Sequence, residues 1–261
     1  MNSQNISNLF VAAQAGGDIG TAAAQVLAIP DLGAQMQAGL GISVDDVTAS
    51  EVTLVTLLVD DSGSIRMASN SQHVRDGCNT IIEALGKSKQ SDGVLISIRY
   101  LNGTVLTPYT PLDQAQRLDS SNYNPSGGTP LYDQSVVTCG QVIAKRQEFT
   151  DGGVACRAVT AIITDGADAG SRRADASDVS KVVRDMLLTE SHIVIGMGID
   201  DGSTDFAQVF QEMGIQPDWI ITPGNSPSEI RRAFAVVSQS AVRASQGATG
   251  FSQAAGAGFT A

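Results

Sequence analysis

Residues 51–64, EVTLVTLLVDDSGS, decide the fold. β-Branched and apolar residues fill positions 53–59, which is typical of a strand that is buried on both faces. Two aspartates, Asp60 and Asp61, follow this run at once, and small polar residues continue after them. The stretch therefore predicts a central strand of a parallel sheet, with acidic side chains at its carboxyl end.

The chain beyond this strand alternates between apolar runs of strand length and apolar stripes at helical spacing. Further strands are predicted at residues 94–101, 104–109, 159–164, 192–199 and 218–222. The dipeptide Asn102-Gly103 predicts a type I′ hairpin turn between two of them. This pattern predicts an α/β fold with a doubly wound, mostly parallel, Rossmann-like sheet and one antiparallel edge strand.

Composition divides the chain into three zones. Residues 1–50 form an extension rich in Ala, Gly and Gln that is partly helical, and an arm, an extra helical layer and a self-association element all remain open for it. Residues 51–243 hold the α/β domain. Residues 244–261 carry no charge and many small residues, which predicts a flexible tail.

Charge and cysteine usage narrow the class of protein. The net charge is -11, and such a surface repels phosphate backbones and anionic lipids, so nucleic-acid and membrane partners are not expected. No Lys or Arg precedes Arg66, so the basic start of a secretory signal is missing. The three cysteines lack metal-ligand spacing and are interpreted as buried free thiols. We therefore expect a cytoplasmic location.

Acidic residues follow several of the predicted parallel strands, at Asp60, Asp165 and Asp200. The carboxyl ends of such strands share one edge of the sheet, and ligands bind there where the strand order reverses. Like charges gathered at one edge are costly unless they share a cation. Mg²⁺ prefers oxygen ligands, and Ser62 and Ser64 add neutral oxygens nearby. The pattern predicts a hard-cation site at this edge.

Three short motifs resemble those of von Willebrand factor A (vWA) domains. Residues 60–64, DDSGS, resemble the family's Asp-x-Ser-x-Ser signature, residues 127–131, GGTPL, its threonine motif, and residues 163–166, ITDG, its third motif. The resemblance spans roughly residues 51–242, and it implies a complete metal-ion-dependent adhesion site of the bacterial intracellular type.

The resemblance also implies the ligands and the function. Mg²⁺ or Mn²⁺ would be held by Ser62, Ser64 and Thr129 directly or through water, and by Asp60 and Asp165 mostly through water. A carboxylate of a partner protein, from Asp or Glu, would complete the metal shell. Intracellular domains of this kind often work beside AAA+ ATPases or in multi-component systems, so an adaptor or assembly role is implied and catalysis is not.

Two other functions compete with metal-dependent binding. A structural, self-assembling subunit is compatible with the uncharged segments on both sides of the domain. A Mg²⁺-dependent phospho-acceptor or phosphatase-like enzyme is disfavoured, because no lysine follows a late strand and residues 60–62, DDS, lack the second acid of an Asp-x-Asp motif.

Local structural roles compete as well. Asp60, Ser62 and Ser64 favour turns and helix N-caps, Thr129 before Pro130 is a good N-cap, and Asp165 with Gly166 is a common turn. These local explanations would have to hold at all three places together. Three more aspartates are interpreted as solvated loop charges: Asp168, Asp200 and Asp201.

Overall fold

The computed structural model describes residues 5–246. The strands in this part are β1 Glu51–Val59, β2 Val94–Tyr100, β3 Val105–Pro111, β4 Ala155–Thr164, β5 His192–Gly198 and β6 Ile220–Ile221. They form one sheet in the order β3-β2-β1-β4-β5-β6, in which only β3 runs antiparallel to its neighbour. The predicted doubly wound, mostly parallel α/β sheet with an antiparallel edge strand is confirmed.

Helices cover both faces of this sheet. They are α1 Ile6–Gly16, α2 Thr21–Leu27, α3 Leu32–Ala38, α4 Gly63–Met67, α5 Ser71–Gly86, α6 Leu131–Asp151, α7 Ala176–Leu188, α8 Phe206–Glu212 and α9 Pro227–Ser245. Helices α5 and α9 pack against each other on one face, and α6 and α7 pack together on the other. None of the helices within residues 5–246 is long and apolar enough to cross a lipid bilayer.

The strand order reverses between β1 and β4. From β1 the chain moves to β2 and β3 at one edge, and it then returns to place β4 on the other side of β1. In open α/β sheets the crevice beyond this reversal is where ligands bind. Asp60 directly follows β1 and Asp165 directly follows β4, so the topology itself brings both carboxylates to that crevice.

The N-terminal segment is packed as an extra helical layer. Helix α1 contacts α6, α2 contacts α7, and α3 contacts α6. The next residues run along the edge of the sheet, where Tyr109 N–H donates to Gly39 O at 3.1 Å and Ile42 N–H donates to Tyr109 O at 3.0 Å. Gly41 has a φ of 63° in this wrap, and a Cβ there would lie 2.0 Å from Tyr109 O, so only glycine fits.

The N-terminal layer explains why polar residues of α6 are buried. Gln141 donates to Gly39 O at 3.1 Å, and Lys145 donates to Ile42 O. Gln134 donates to the side-chain oxygen of Gln35 at 2.9 Å. Buried polar groups need such partners, because an unpaired one costs about 1–3 kcal/mol. The face of α6 that carries these side chains is therefore matched to the N-terminal segment.

The predicted type I′ hairpin turn is wrong. That turn needs a positive φ at both central residues, and only Gly103 has one, at 90°. Asn102 stays in a negative-φ conformation, because its N–H donates to Asp61 Oδ1 at 3.0 Å and its side-chain oxygen accepts from Thr104 N–H at 2.7 Å. The predicted tail at 244–261 lies mostly outside the described residues, although α9 extends through Ser245.

Candidate metal centre

Asp60 is fully buried at the carboxyl end of β1 and is held by both of its oxygens. Oδ1 accepts from Ser62 N–H at 2.7 Å, which closes a tight turn. Oδ2 accepts from the hydroxyl of Thr164, the last residue of β4, at 2.6 Å. The hydroxyl of Tyr123 donates to the main-chain oxygen of Asp60. The carboxylate is therefore fixed in orientation before any ligand arrives.

A chain of hydrogen bonds links the two serines to the second aspartate. Ser62 Oγ and Ser64 Oγ lie 2.7 Å apart, and Ser64 Oγ donates to Asp165 Oδ1 at 2.6 Å. Burial raises the pKa of Asp165 to about 6, the Ser64 hydrogen bond opposes this shift, and the negative charge of Asp60 adds to it. Ionised Asp165 therefore lacks a compensating charge, which a cation would supply.

Main-chain hydrogen bonds hold the loop of Thr129 beside the loops that follow β1 and β4. Gly63 N–H donates to Gly127 O at 3.0 Å, and Ala169 N–H donates to Thr129 O at 2.9 Å, so the threonine loop is tied to both acidic loops. A Cβ on Gly166 would lie 3.9 Å from Thr129 Oγ1, which places the hydroxyl beside the residue that follows Asp165.

Helix capping does not explain the hydroxyls of Thr129 and Ser62. Helix α6 begins at Leu131 with Pro130 in the N-cap position, so Thr129 is not the cap. Ser62 occupies the N-cap position of α4, but its side chain makes no capping hydrogen bond. The turn expected at Asp60 is present, and it coexists with the clustering. Ser62, Ser64, Asp60 and Asp165 thus lie close together, and local roles account for only part of this arrangement.

The donor set suits a hard divalent cation. It consists of two carboxylates and three hydroxyls, from Asp60, Asp165, Ser62, Ser64 and Thr129. Mg²⁺ and Mn²⁺ favour oxygen ligands and retain water. Within residues 5–246 no group of three or more His, Cys, Asp and Glu side chains is clustered for metal binding. The residues fit the cation.

Asp61 points away from this cluster. Its Oδ1 accepts from Asn102 N–H at 3.0 Å, and its main-chain oxygen accepts from Ser126 N–H and Gly127 N–H at 2.8 and 3.1 Å. Burial raises the pKa of its carboxyl to about 6. Asp61 therefore holds the hairpin and the threonine loop around the site. Sequence reasoning missed this role, although its position between Asp60 and Ser62 was a signal.

The three aspartates that are interpreted as solvated loop charges differ among themselves. Asp200 and Asp201 are exposed and accept from main-chain N–H groups of their own turn, Gly202 at 2.9 Å and Ser203 at 2.8 Å. Asp168 is half-buried in its loop, and unlike the other two it also bonds to a distant element. It accepts from Tyr132 N–H at 3.2 Å and from the Ser171 hydroxyl at 2.5 Å, because its loop folds over the start of α6.

The cysteine prediction is confirmed, since Cys78, Cys139 and Cys156 are all buried free thiols. Burial raises the pKa of each thiol, most strongly for Cys78. The thiolate is the form that binds metal or attacks an electrophile. Burial thus disfavours the thiolate form at all three positions.

No protein-family model matches the sequence, and no curated protein sequence matches it. Among solved structures, the chain is similar to the pilus adhesin SpaC from Lactobacillus rhamnosus GG in its open conformation, with a TM-score of 0.51 and 14% identity over 74% of this chain. It is also similar to proximal thread matrix protein 1 from the mussel byssus, with a TM-score of 0.50 and 16% identity over 72% of this chain.

The SpRpn10 VWA domain is a further neighbour, with a TM-score of 0.49 and 11% identity over 71% of this chain and 94% of that chain. The chain spans 30% of the SpaC structure and 48% of the thread matrix protein, so it corresponds to a part of each. At such identities the likeness shows the fold alone. That fold is the doubly wound, mostly parallel α/β sheet with one antiparallel edge strand.

Proposed function

We propose that this chain is a divalent-cation-dependent protein-binding module that holds Mg²⁺ or Mn²⁺ at the end of β1 and β4. The observation that carries the proposal is the hydrogen-bonded chain from Ser62 through Ser64 to Asp165, beside the fixed carboxylate of Asp60. The hydroxyls of Ser62, Ser64 and Thr129 would hold the cation, and the two carboxylates would support it mainly through water.

The two aspartates play unequal parts in this proposal. Both oxygens of Asp60 already accept strong hydrogen bonds, so it would act on a cation at one remove and keep Ser62 and β4 in register. Neutral hydroxyls leave most of the ion's charge uncompensated. A bound cation would then offer a position to an external carboxylate, and this local attraction outweighs the distant net charge of -11, which salt screens.

The partner implied by this chemistry is a protein that presents an Asp or Glu side chain. An AAA+ ATPase or another component of a multi-protein system is the proposed class, with a cytoplasmic location and an adaptor or assembly role. A non-enzymatic role is supported by the placement of reactive groups. His192 opens β5, at the end of the strand away from this edge, and the three thiols are buried.

Metal-dependent capture tests the proposal. Immobilised wild type is exposed to native extract with Mg²⁺ or with EDTA, beside the double variant Ser62→Ala, Ser64→Ala. The control is Ser203→Ala, which removes an exposed hydroxyl from the loop after β5. We expect a partner that is retained only with Mg²⁺, lost by the double variant and kept by the control. Equal retention in EDTA and by the double variant would place recognition elsewhere.

Thr129→Ala refines the same test. We expect it to weaken partner capture more than it weakens metal binding, if the Thr129 hydroxyl changes between direct and water-mediated contact when the partner's carboxylate arrives. Comparing metal affinity and capture for this variant separates the two effects. An equal loss of both would mean that Thr129 serves the cation alone.

A further inference from the structure

Asp133, in the first turn of α6, is nine-tenths buried and reaches across to the loop that follows β4. Its Oδ1 accepts from the N–H groups of Arg173 and Ala174 at 3.0 and 2.8 Å. Its Oδ2 accepts from Arg172 N–H at 2.9 Å. One carboxylate therefore satisfies three successive main-chain donors about 40 residues away in the sequence.

The same loop returns hydrogen bonds to α6. Asp133 N–H donates to Ser171 Oγ at 2.9 Å, and Tyr132 N–H donates to Asp168 Oδ1 at 3.2 Å. The first N–H groups of a helix have no partner inside the helix, and here another loop supplies their acceptors. This is why α6 does not need Thr129 as its cap. We name residues 129–133 and 168–174, joined in this way, the clasp.

The clasp connects two parts of the proposed metal site. Thr129 begins one side of the clasp, and Asp165 lies three residues before the other side. Ala169 N–H donates to Thr129 O at 2.9 Å as the direct link between the two sides. A shift of one side relative to the other would therefore move the Thr129 hydroxyl relative to the Asp165 carboxylate.

We propose that Asp133 is a positioning residue that holds Thr129 in register with Asp165 and thereby sets the affinity of the metal site. The inference rests on the proposed function, and it assigns to the metal site a residue that does not itself bind the cation. Partners that orient metal ligands commonly change metal affinity by about 10–100-fold when they are removed. Charge-assisted hydrogen bonds such as those accepted by Asp133 are the strong kind that can hold such a register.

The ion pair between Arg173 and Asp31 also contacts the clasp, but it is too exposed to hold Thr129 in register with Asp165. Arg173 pairs with Asp31 at 2.8 Å, but the two side chains are 51% and 72% exposed. Exposed ion pairs of this kind contribute about 0–1 kcal/mol. Buried Asp133, with three main-chain donors, is therefore the stronger of these two ties.

The test compares Mn²⁺ affinity, measured by calorimetry, with main-chain hydrogen exchange of the cation-free protein. For Asp133→Ala we expect an affinity about tenfold weaker than wild type, together with loss of protection at Ala169 N–H and Tyr132 N–H. Asp133→Asn keeps an oxygen for Arg173 and Ala174 but loses the acceptor for Arg172, so its affinity should fall by less. The Asp133→Asn variant also keeps the test possible if Asp133→Ala does not fold.

Asp175→Ala is the matched control. Asp175 lies next to the clasp and accepts from Asp178 N–H at 2.9 Å as the cap of α7, so its side chain caps another helix than α6. Its loss should lower stability while Mn²⁺ affinity and Ala169 protection stay at wild-type values. Unchanged affinity and protection in both Asp133 variants would overturn the inference. If wild type binds no Mn²⁺, the metal proposal fails, and protection at Ala169 alone then decides whether Asp133 sets the register.

Discussion

The hydroxyl of Ser64 donates a hydrogen bond of 2.6 Å to Asp165 Oδ1, which joins two side chains that are 101 positions apart. They meet because β1 and β4 are parallel neighbours, with Val59 paired to Ile163 one step before the site. A contact of this kind depends on topology and not on local sequence. It places hydroxyl and carboxylate oxygens from two loops within reach of one cation.

Replacing Asp165 by Asn should have opposite effects with and without metal. At pH 7 burial and Asp60 disfavour the ionised carboxylate, so removing the charge should raise the free energy of unfolding of the cation-free protein by about 1–3 kcal/mol. The rise of Tm on adding Mg²⁺ should disappear in the same variant. Thermal melting with Mg²⁺ and with EDTA measures both effects.

Asp201→Asn is the control for that experiment, since Asp201 is an exposed turn residue at the same edge of the sheet. It should retain the Mg²⁺-dependent rise of Tm. If the cation-free Asp165→Asn protein is less stable than wild type, burial and the charge of Asp60 do not destabilise the ionised carboxylate of Asp165.

Gly41→Ala should detach the N-terminal segment from the edge strand. Its Cβ would lie 2.0 Å from Tyr109 O at a positive φ, so the wrap around Tyr109 must open. We expect a loss of about 1–3 kcal/mol in the free energy of unfolding, measured with urea. In the control Gly33→Ala the new Cβ meets Ile6 at an ordinary 3.9 Å, and stability should hold or rise. Equal effects would show that the segment does not depend on this wrap.

The stability of the protein should fall in mild acid because of His192. Burial, aided by the positive charge of Arg146, lowers the pKa of His192 to about 3, against about 6.5 in an unfolded chain. Between these pH values the unfolded state binds a proton that the folded state does not, so stability rises with pH there and is lost as pH falls.

His192→Gln removes this contribution. Below about pH 6, the free energy of unfolding of wild type should fall more steeply than that of the variant, with a difference in slope of about 1.4 kcal/mol per pH unit. Urea unfolding at pH 7, 6, 5 and 4 measures both slopes. Parallel slopes would show that His192 is protonated in the folded protein.

The sheet could be predicted because it depends on strand periodicity, and its topology explains why Asp60 and Asp165 lie at one edge. That these two form one metal site with Ser62, Ser64 and Thr129 stays a prediction. The position of Asp168 could not be predicted, since it depends on how a loop folds over a helix that is far away in sequence. The burial of polar residues on α6 could not be predicted either, because Gln141 and Lys145 are buried by an N-terminal layer that is far away in sequence.

The hairpin shows the same limit at short range. Asn102-Gly103 favours a type I′ turn by local propensity, and the carboxylate of Asp61 overrides this preference through the N–H of Asn102. The residues that support the site, among them Tyr123 and Asp133, are recognised by their partners in space. No periodicity in the sequence marks them.

The most direct test of the central claim is Mn²⁺ titration followed by paramagnetic broadening of main-chain amide signals. We expect the signals of Ser62, Ser64 and Asp165 to broaden first, and Mg²⁺ to restore them by competition. A second acidic group lies at the other end of α6, where Asp46 and Glu148 line a cavity. Broadening that begins at Asp46 and spares Ser64 would contradict a cation site between β1 and β4. Broadening that Mg²⁺ does not reverse would contradict it as well.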